Sequence, residues 1–137
     1  MDESFDVPVS VDAAIDFLSL PENWKLILDK PSVAVIDPTA YEVGDAFLVD
    51  NVHLDRSKPS DQLSYVVHCH IMGVRNVLTL EVTWSFTSTA GGCSIRRVIR
   101  HFRQHRLLLV PIIPIARPVT FQENRKIAAL LSTNNAT

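Results

Sequence analysis

In the first part of the chain, the spacing of the apolar residues changes from every second position to the spacing of a helix. Apolar residues stand at every second position over 4–9, which predicts a strand. Ser10 follows at the position of a helix N-cap, and the apolar residues over 11–18 share one helical face. Pro21 suits the first turn of a second short helix. That helix is expected to end at Asp29-Lys30-Pro31, because the residue before a proline leaves the helical region.

Beyond residue 31 the apolar residues again recur at every second position. The polar loop 55–61, the turn 73–76 and the Gly91-Gly92 loop interrupt this pattern. Strands joined in sequence by short connections form an antiparallel meander. The predicted strands lie at 32–36, 44–54, 63–72, 77–87 and 93–103.

The last part of the chain predicts one long helix. Pro118 suits its first turn, and a polar tail over 132–137 is expected to fray. One apolar stripe of this helix could cover the apolar face of the sheet. It is formed by Phe121, Asn124, Ala128 and Leu131, with Ile127 and Leu130 beside it. The prediction is an α+β fold: a curved antiparallel sheet around a long C-terminal helix, with two short helices after the first strand.

Composition limits the class of protein. With 137 residues the chain fits a single domain over 1–137. Hydrophobic residues make up 47% of it and charged residues 20%, which excludes a disordered chain. A net charge of −2 provides no basic field, so we expect no nucleic-acid partner.

Cysteine content and apolar run length indicate a cytoplasmic address. Cys69 and Cys93 are too few for a disulfide scaffold and are expected to be reduced core thiols. The acidic first residues lack the apolar run of a secretion signal. The most apolar segment, 107–116, contains two prolines and is about half as long as the roughly twenty residues of a membrane helix. We therefore expect no membrane span.

The turns fix an expected strand register. The turn after Met72 pairs that residue with Val77, and the glycine loop pairs Ser88 with Cys93. Every second residue of each strand then faces the same side, whereas a one-residue slip would invert a whole strand. The predicted inner face carries Leu63, Tyr65, Val67, Cys69, Leu80, Val82, Trp84, Phe86, Ile95, Arg97, Ile99 and His101.

Pairing Leu54 with Leu63 across the polar loop adds Leu48, Asp50 and Val52 to this face. The inner wall is then mostly apolar with a few polar groups, which is typical of a small-molecule pocket.

Arg97 is the residue of greatest interest, because a charge on an apolar face must be paired. Asp50 could pair with it, and the Trp84 ring opposite could stack on it. Arg97 is then either an anchor for a ligand carboxylate, enolate or phenolate, or a structural ion-pair residue. His101 and Tyr65 could transfer protons to a bound ligand, or be satisfied groups at the pocket edge.

Two other patterns predict no site. His68 and His70 share a face two residues apart, but the register places them outside, opposite Glu81 and Thr79, so we expect no metal site. The basic residues over 96–106 lack the exposed aromatic residues of a nucleic-acid surface. No nucleophile elbow or phosphate-binding glycine loop occurs.

The order of elements resembles the START-like helix-grip superfamily, also called SRPBCC. The stretches that carry the resemblance are residues 7–18, the helix with Trp24, Val43-Gly44-Asp45 and Gly91-Gly92-Cys93-Ser94-Ile95, where a Thr commonly stands at the Cys93 position. The superfamily includes polyketide cyclases, aromatases and lipid carriers. The resemblance implies an apolar ligand held between the sheet and the last helix, with segment 107–116 at the mouth.

The resemblance implies a cofactor-independent natural-product enzyme similar to polyketide cyclases and aromatases. Arg97 would stabilise a developing oxyanion, while Tyr65, His101 or Asp50 would move protons. A non-catalytic carrier or sensor of a hydrophobic ligand or lipid is the alternative, and a homodimeric interaction module without a ligand is a third. The expected ligand contacts are Trp84, Leu80, Val82, Phe86, Cys69, Val67, Ile99, Phe121 and Trp24.

Overall fold

Strands and helices follow one another in the order that the sequence pattern predicts, with one additional strand. The computed structural model describes residues 2–28, 33–44, 48–55, 61–71, 74–104 and 112–135, with side chains at 2–27, 34–44, 50–54, 61–70, 78–100 and 120–133. The elements are β1 (Asp2–Val7), α1 (Val11–Ser19), α2 (Pro21–Leu28), β2 (Val33–Asp37), β3 (Ala40–Gly44), β4 (Leu48–Asp55), β5 (Gln62–Ile71), β6 (Val74–Thr89), β7 (Gly92–Gln104) and α3 (Ile112–Asn135).

Helix α1 begins at the cap that the sequence predicts. The Ala13 amide donates to Ser10 Oγ at 3.2 Å, and the Ala14 amide donates to the Ser10 carbonyl at 3.0 Å. These bonds satisfy donors that a helix start would leave unpaired.

The end of α1 is held by side chains rather than by a glycine cap. Asn23 Nδ2 donates to the Phe17 carbonyl at 2.8 Å, and Trp24 Nε1 donates to the Leu18 carbonyl at 3.0 Å. The Tyr65 hydroxyl on β5 donates to the same Leu18 carbonyl. This helix end therefore joins α2 to the inner face of the sheet.

The described strands form one antiparallel sheet in the order β1-β7-β6-β5-β4-β3-β2. The sequence predicted one strand fewer, because no predicted strand included residues 40–43. The Asp37 carboxylate accepts from the Thr39 amide at 2.7 Å and from its hydroxyl at 2.8 Å. This Asx turn reverses the chain directly into Ala40, so the segment predicted as a loop is a strand.

The β6–β7 register is as predicted, with Ser88 opposite Cys93 and Trp84 opposite Arg97. The β5–β6 register differs by two residues, since Tyr65 lies opposite Val82 instead of Trp84, and the register shifts again between Cys69 and Ile71. An even shift leaves every side chain on its predicted face. The β4–β5 register is shifted by two residues as well, since Leu54 lies opposite Tyr65 instead of Leu63.

Gly92 lets β7 start close to the end of β1. Its φ is +152°, and a Cβ there would lie 2.1 Å from the Val7 carbonyl oxygen. A side chain would therefore collide with backbone. This close approach explains why a glycine stands at position 92.

Helix α3 covers the inner face of the sheet through Ile127 and Leu131, which are both buried in the core. It begins at Ile112, earlier than the predicted start at Pro118, and it continues to Asn135 through the segment predicted as a frayed tail. The Ser132 hydroxyl donates to the Ala128 carbonyl there. Segment 107–116 lies partly outside the described residues, and its described part is helical.

The predicted α+β helix-grip fold is confirmed: a curved, open antiparallel sheet packs on a long C-terminal helix, with two short helices after the first strand. Among the described helices, none has a long enough apolar stretch to cross a membrane.

Candidate functional site

Arg97 lies on the inner face of β7 with only 7% of its surface exposed. Its Nη2 donates to Glu123 Oε1 at 2.9 Å, and its Nη1 donates to Asn124 Oδ1 at 3.2 Å. Both acceptors stand on α3. The guanidinium therefore joins the sheet to the C-terminal helix, and its ion pair is with Glu123, whereas the sequence suggested Asp50.

The predicted stacking of Arg97 on Trp84 is confirmed. The guanidinium carbon lies 4.5 Å from the Trp84 ring centroid. Trp84 is fully buried and stands opposite Arg97 on the neighbouring strand. A cation over an indole face is attracted by the ring quadrupole, and the attraction is larger where water is excluded.

Two buried donors in this pair have no acceptor among the described residues. They are Trp84 Nε1 and Arg97 Nε. Most buried polar groups in proteins are hydrogen-bonded, and an unmade bond costs about 1–3 kcal/mol. The pair therefore retains unused capacity to donate to an acceptor atom.

A second carboxylate approaches from the first strand. Asn124 Nδ2 donates to Glu3 Oε2 at 2.9 Å, and Glu3 lies opposite Arg97 in the β1–β7 register. Glu3, Asn124, Arg97 and Glu123 form a continuous polar chain, which we call the Arg97 network. The network contains two carboxylates and one guanidinium, and only the Glu123 carboxylate contacts that guanidinium directly.

An aromatic cluster centred on Trp24 packs next to this network. The Trp24 ring centroid lies 5.9 Å from that of Tyr41 in a stacked arrangement, 6.1 Å from Tyr65 and 6.0 Å from Trp84. All four rings are buried. Trp24 thus connects the short helices to the wall that carries Arg97.

Tyr41 is an inner-face phenol that sequence reasoning missed. Burial raises its pKa well above the usual range, and the charges of Glu123 and Asp50 act in the same direction while Arg97 opposes them. These influences put Tyr41 within electrostatic reach of the Arg97 network and of Asp50. The phenol therefore keeps its proton at neutral pH.

Asp50 stands on β4 directly opposite Cys69 on β5. Burial raises the pKa of the Cys69 thiol, and the neighbouring Asp50 carboxylate, which accepts a hydrogen bond from the thiol, raises it further. Cys69 is therefore a protonated thiol that helps to hold the carboxylate.

Tyr65 is buried on the inner face as predicted, and its hydroxyl donates to the Leu18 carbonyl. This bond fixes the phenol proton on the backbone of α1. The structure therefore gives Tyr65 a positioning role, and its predicted proton transfer competes with this bond.

The apolar residues of the predicted site fall on the expected face, with one exception. Phe121 was predicted on the covering stripe of α3, but it is 53% exposed, and the Arg125 guanidinium lies 5.8 Å from its ring centroid. The helix turns its Thr120–Asn124–Ile127 face inward instead. Val82 and Phe86 are buried, Val67 and Ile99 pack against the core, and Leu80 is half-buried.

His101 lies opposite Leu80 in the backbone register, but its side chain is outside the described residues. Its predicted role in proton transfer is therefore neither supported nor opposed, and it stays a prediction.

The outer face of the sheet carries His68 and His70, as predicted. His68 lies opposite Thr79 rather than Glu81, and its Nδ1 is 3.4 Å from the Thr79 hydroxyl. His70 hydrogen-bonds Asn51 on β4 through Nε2. The side chains that the structure describes include no group of three His, Cys, Asp or Glu residues arranged to hold a metal ion.

The residues that sequence reasoning missed are those contributed from distant strands and from α3. Asn124 gave a usable signal, because a polar residue within an apolar stripe must find a buried partner. Glu123 and Glu3 gave none, since each could equally be a solvated surface carboxylate.

Comparisons by sequence yield no relative. No protein-family model matches the chain, and no curated protein matches it significantly.

Comparisons with solved structures yield many matches. A Mesorhizobium loti protein has a TM-score of 0.69 at 19% identity, with 96% of this chain and 95% of that chain covered. The Aha1 dimer of Colwellia psychrerythraea has a TM-score of 0.71 at 6% identity, with 96% and 95% covered. A protein of the dynemicin biosynthetic locus has a TM-score of 0.66 at 15% identity, with 98% of this chain but 47% of that chain covered. At these identities the likeness shows a shared fold.

Proposed function

We propose that the chain is a START-like protein that binds a small hydrophobic molecule between the sheet and α3. On this proposal it acts as a cofactor-independent enzyme of the polyketide cyclase or aromatase kind. The observation that carries the proposal is the buried Arg97 on an aromatic wall. Support also comes from the fold shared with a protein of a natural-product locus.

The burial of Arg97 is the main argument for a ligand site. Removing a guanidinium from water has a large desolvation cost, and a well-packed apolar side chain at such a position is often as stable or more stable. The chain nevertheless keeps a charge there, with 7% exposure, and builds a helix contact to hold it. Such an arrangement is favoured when the charge acts on something else that enters the site.

The proposed chemistry is ring closure or dehydration of a carbonyl compound. Holding the reacting carbons close together supplies much of the rate enhancement. The Arg97 network would stabilise the negative charge that develops on a carbonyl oxygen. Asp50, Tyr41 or His101 would move the proton between carbon and oxygen, and neither a cofactor nor a metal takes part in this step.

The alternative is a carrier or sensor of a hydrophobic ligand. The hydrogen bonds from Arg97 to Glu123 and Asn124 favour it, because a guanidinium already held by two acceptors can orient a polar group without taking part in chemistry. Both functions use the same proposed site between the sheet and α3, but only the enzyme converts its ligand into a product.

A matched pair of variants tests the proposal. Arg97→Lys keeps the charge beside Glu123 but loses the planar set of donors, whereas Arg96→Lys makes the same change at an exposed position of the same strand. With a poly-β-ketone thioester as substrate, we expect Arg97→Lys to lower turnover by about a hundredfold. Arg96→Lys should leave it unchanged.

Three results are informative. Binding of the thioester without turnover would favour the carrier. Equal turnover in both variants would remove Arg97 from the mechanism. Absence of any co-purified apolar molecule by native mass spectrometry, together with no thermal stabilisation by apolar compounds, would contradict ligand binding altogether.

A further inference from the structure

We infer that the polar end of the bound molecule is an uncharged hydrogen-bond acceptor, such as a ketone or quinone oxygen, to which Trp84 Nε1 and Arg97 Nε donate. The inference rests on the proposed function and specifies the chemical class of the ligand.

The first argument is the pair of unused donors. Trp84 is fully buried and Arg97 is 7% exposed, yet neither Trp84 Nε1 nor Arg97 Nε has an acceptor among the described residues. Because the guanidinium lies over the indole ring, the two N–H groups belong to one small region. Trp24 provides the contrast, since its Nε1 is bonded to the Leu18 carbonyl at 3.0 Å. Among the described residues, one indole N–H is satisfied and the other has no acceptor.

The second argument is charge. Glu123 already forms an ion pair with Arg97 at 2.9 Å, and Glu3 reaches the same network through Asn124. An incoming carboxylate or phenolate would therefore meet more negative than positive charge in a buried site, where repulsion is strong. A neutral oxygen accepts the two hydrogen bonds without that penalty.

This charge balance changes the expectation from the sequence alone. An unpaired Arg97 would have favoured a carboxylate, enolate or phenolate as the resting ligand. With Glu123 in place, a ligand that carries a full negative charge is disfavoured, whereas the two N–H donors can bind a carbonyl oxygen and stabilise the partial charge that develops on it during reaction.

The test compares three planar or near-planar probes of similar shape: 9-fluorenone with one carbonyl, fluorene without an acceptor, and fluorene-9-carboxylate with a negative charge. The chain has two tryptophans, so its amide correlation spectrum contains two indole N–H signals, and the Trp24 signal serves as an internal reference. We expect 9-fluorenone to move the Trp84 signal downfield and to leave that of Trp24 nearly unchanged.

Affinity provides the second readout. One hydrogen bond of about 1 kcal/mol corresponds to roughly a fivefold change in Kd, so 9-fluorenone should bind about five- to tenfold more tightly than fluorene. Trp84→Phe should reduce this ratio towards one, because the ring remains and the donor is lost. If Trp84→Phe does not fold, the shift of the wild-type indole signal decides the question.

The failures are distinguishable. Equal affinity for 9-fluorenone and fluorene, or no shift of the Trp84 signal at saturation, would overturn the inference while ligand binding stands. Tightest binding of fluorene-9-carboxylate would overturn it in favour of an anion site. No binding of any probe would contradict the proposed function, and the inference with it.

Discussion

At the scale of single residues, the Arg97–Glu123 pair links the stability of the folded protein to the candidate functional site. Both side chains are shielded, with 8% and 16% of their surfaces exposed. A buried pair adds little net stability compared with apolar side chains, but the loss of one partner leaves an uncompensated charge. The two residues are therefore expected to be strongly interdependent.

Glu123→Gln should lower the free energy of unfolding by about 3 kcal/mol, because the Arg97 charge then stays buried without its partner. Chemical denaturation would measure the loss. The double change Arg97→Met with Glu123→Leu should recover most of it, and the exposed Arg96–Asp2 pair supplies the control: Asp2→Asn should leave the midpoint almost unchanged. If Glu123→Gln lowered the free energy of unfolding only slightly, the Arg97 charge would be hydrated rather than dependent on Glu123.

At the scale of elements, the approach of β7 to β1 depends on one glycine. Gly92→Ala should destabilise the protein by about 3 kcal/mol or more, because its Cβ would meet the Val7 carbonyl and the backbone has a positive φ. Gly91→Ala is the matched control, since a Cβ there has no neighbour within 4 Å. Thermal unfolding of both variants would measure the difference, and a similar melting temperature for the two would contradict the close approach.

The order of elements could be predicted because each signal is local. The Ser10 cap, the alternation in β6 and the glycine loop before Cys93 are all set by neighbouring residues. The register of β5 against β6 was wrong by two residues, because the irregularity near Ile71 has no sequence signature. The even shift preserved the predicted face.

The candidate site was predictable only in part, because some of its residues are far apart along the chain. Arg97 and Trp84 are adjacent across one hairpin, so their stacking followed from the turn. The partners Glu123 and Glu3 come from other elements, and no local pattern connects them to Arg97. Phe121 was misplaced because the rotation of α3 is set by those polar contacts as well as by its apolar stripe.

At the scale of the whole molecule, buried acidic groups make stability sensitive to alkali. Burial raises the pKa of Cys69, Cys93 and Tyr41 above the usual thiol and phenol values of 9.0 and 10.0. Above those values the unfolded chain loses protons that the folded chain retains, so the free energy of unfolding falls as pH rises.

We therefore expect the denaturation midpoint to hold steady near neutrality and to fall from about pH 9 upward. Cys69→Ala should make the decline shallower, because one buried thiol no longer contributes to it, even though the variant is less stable at pH 7. Denaturation series between pH 7 and 11 would measure both slopes. Parallel declines in the two proteins would exclude Cys69 as a contributor.

The place of β1 at the margin of the sheet, beside β7, has a consequence for synthesis. Residues 2–7 find their hydrogen-bonding partners in residues 93–98, so β1 cannot pair until β7 has been translated. Pairings between such distant segments are entropically slow to form. Since β1 also carries Glu3 to Asn124, the Arg97 network is completed only when β1, β7 and α3, which lie far apart along the chain, come together.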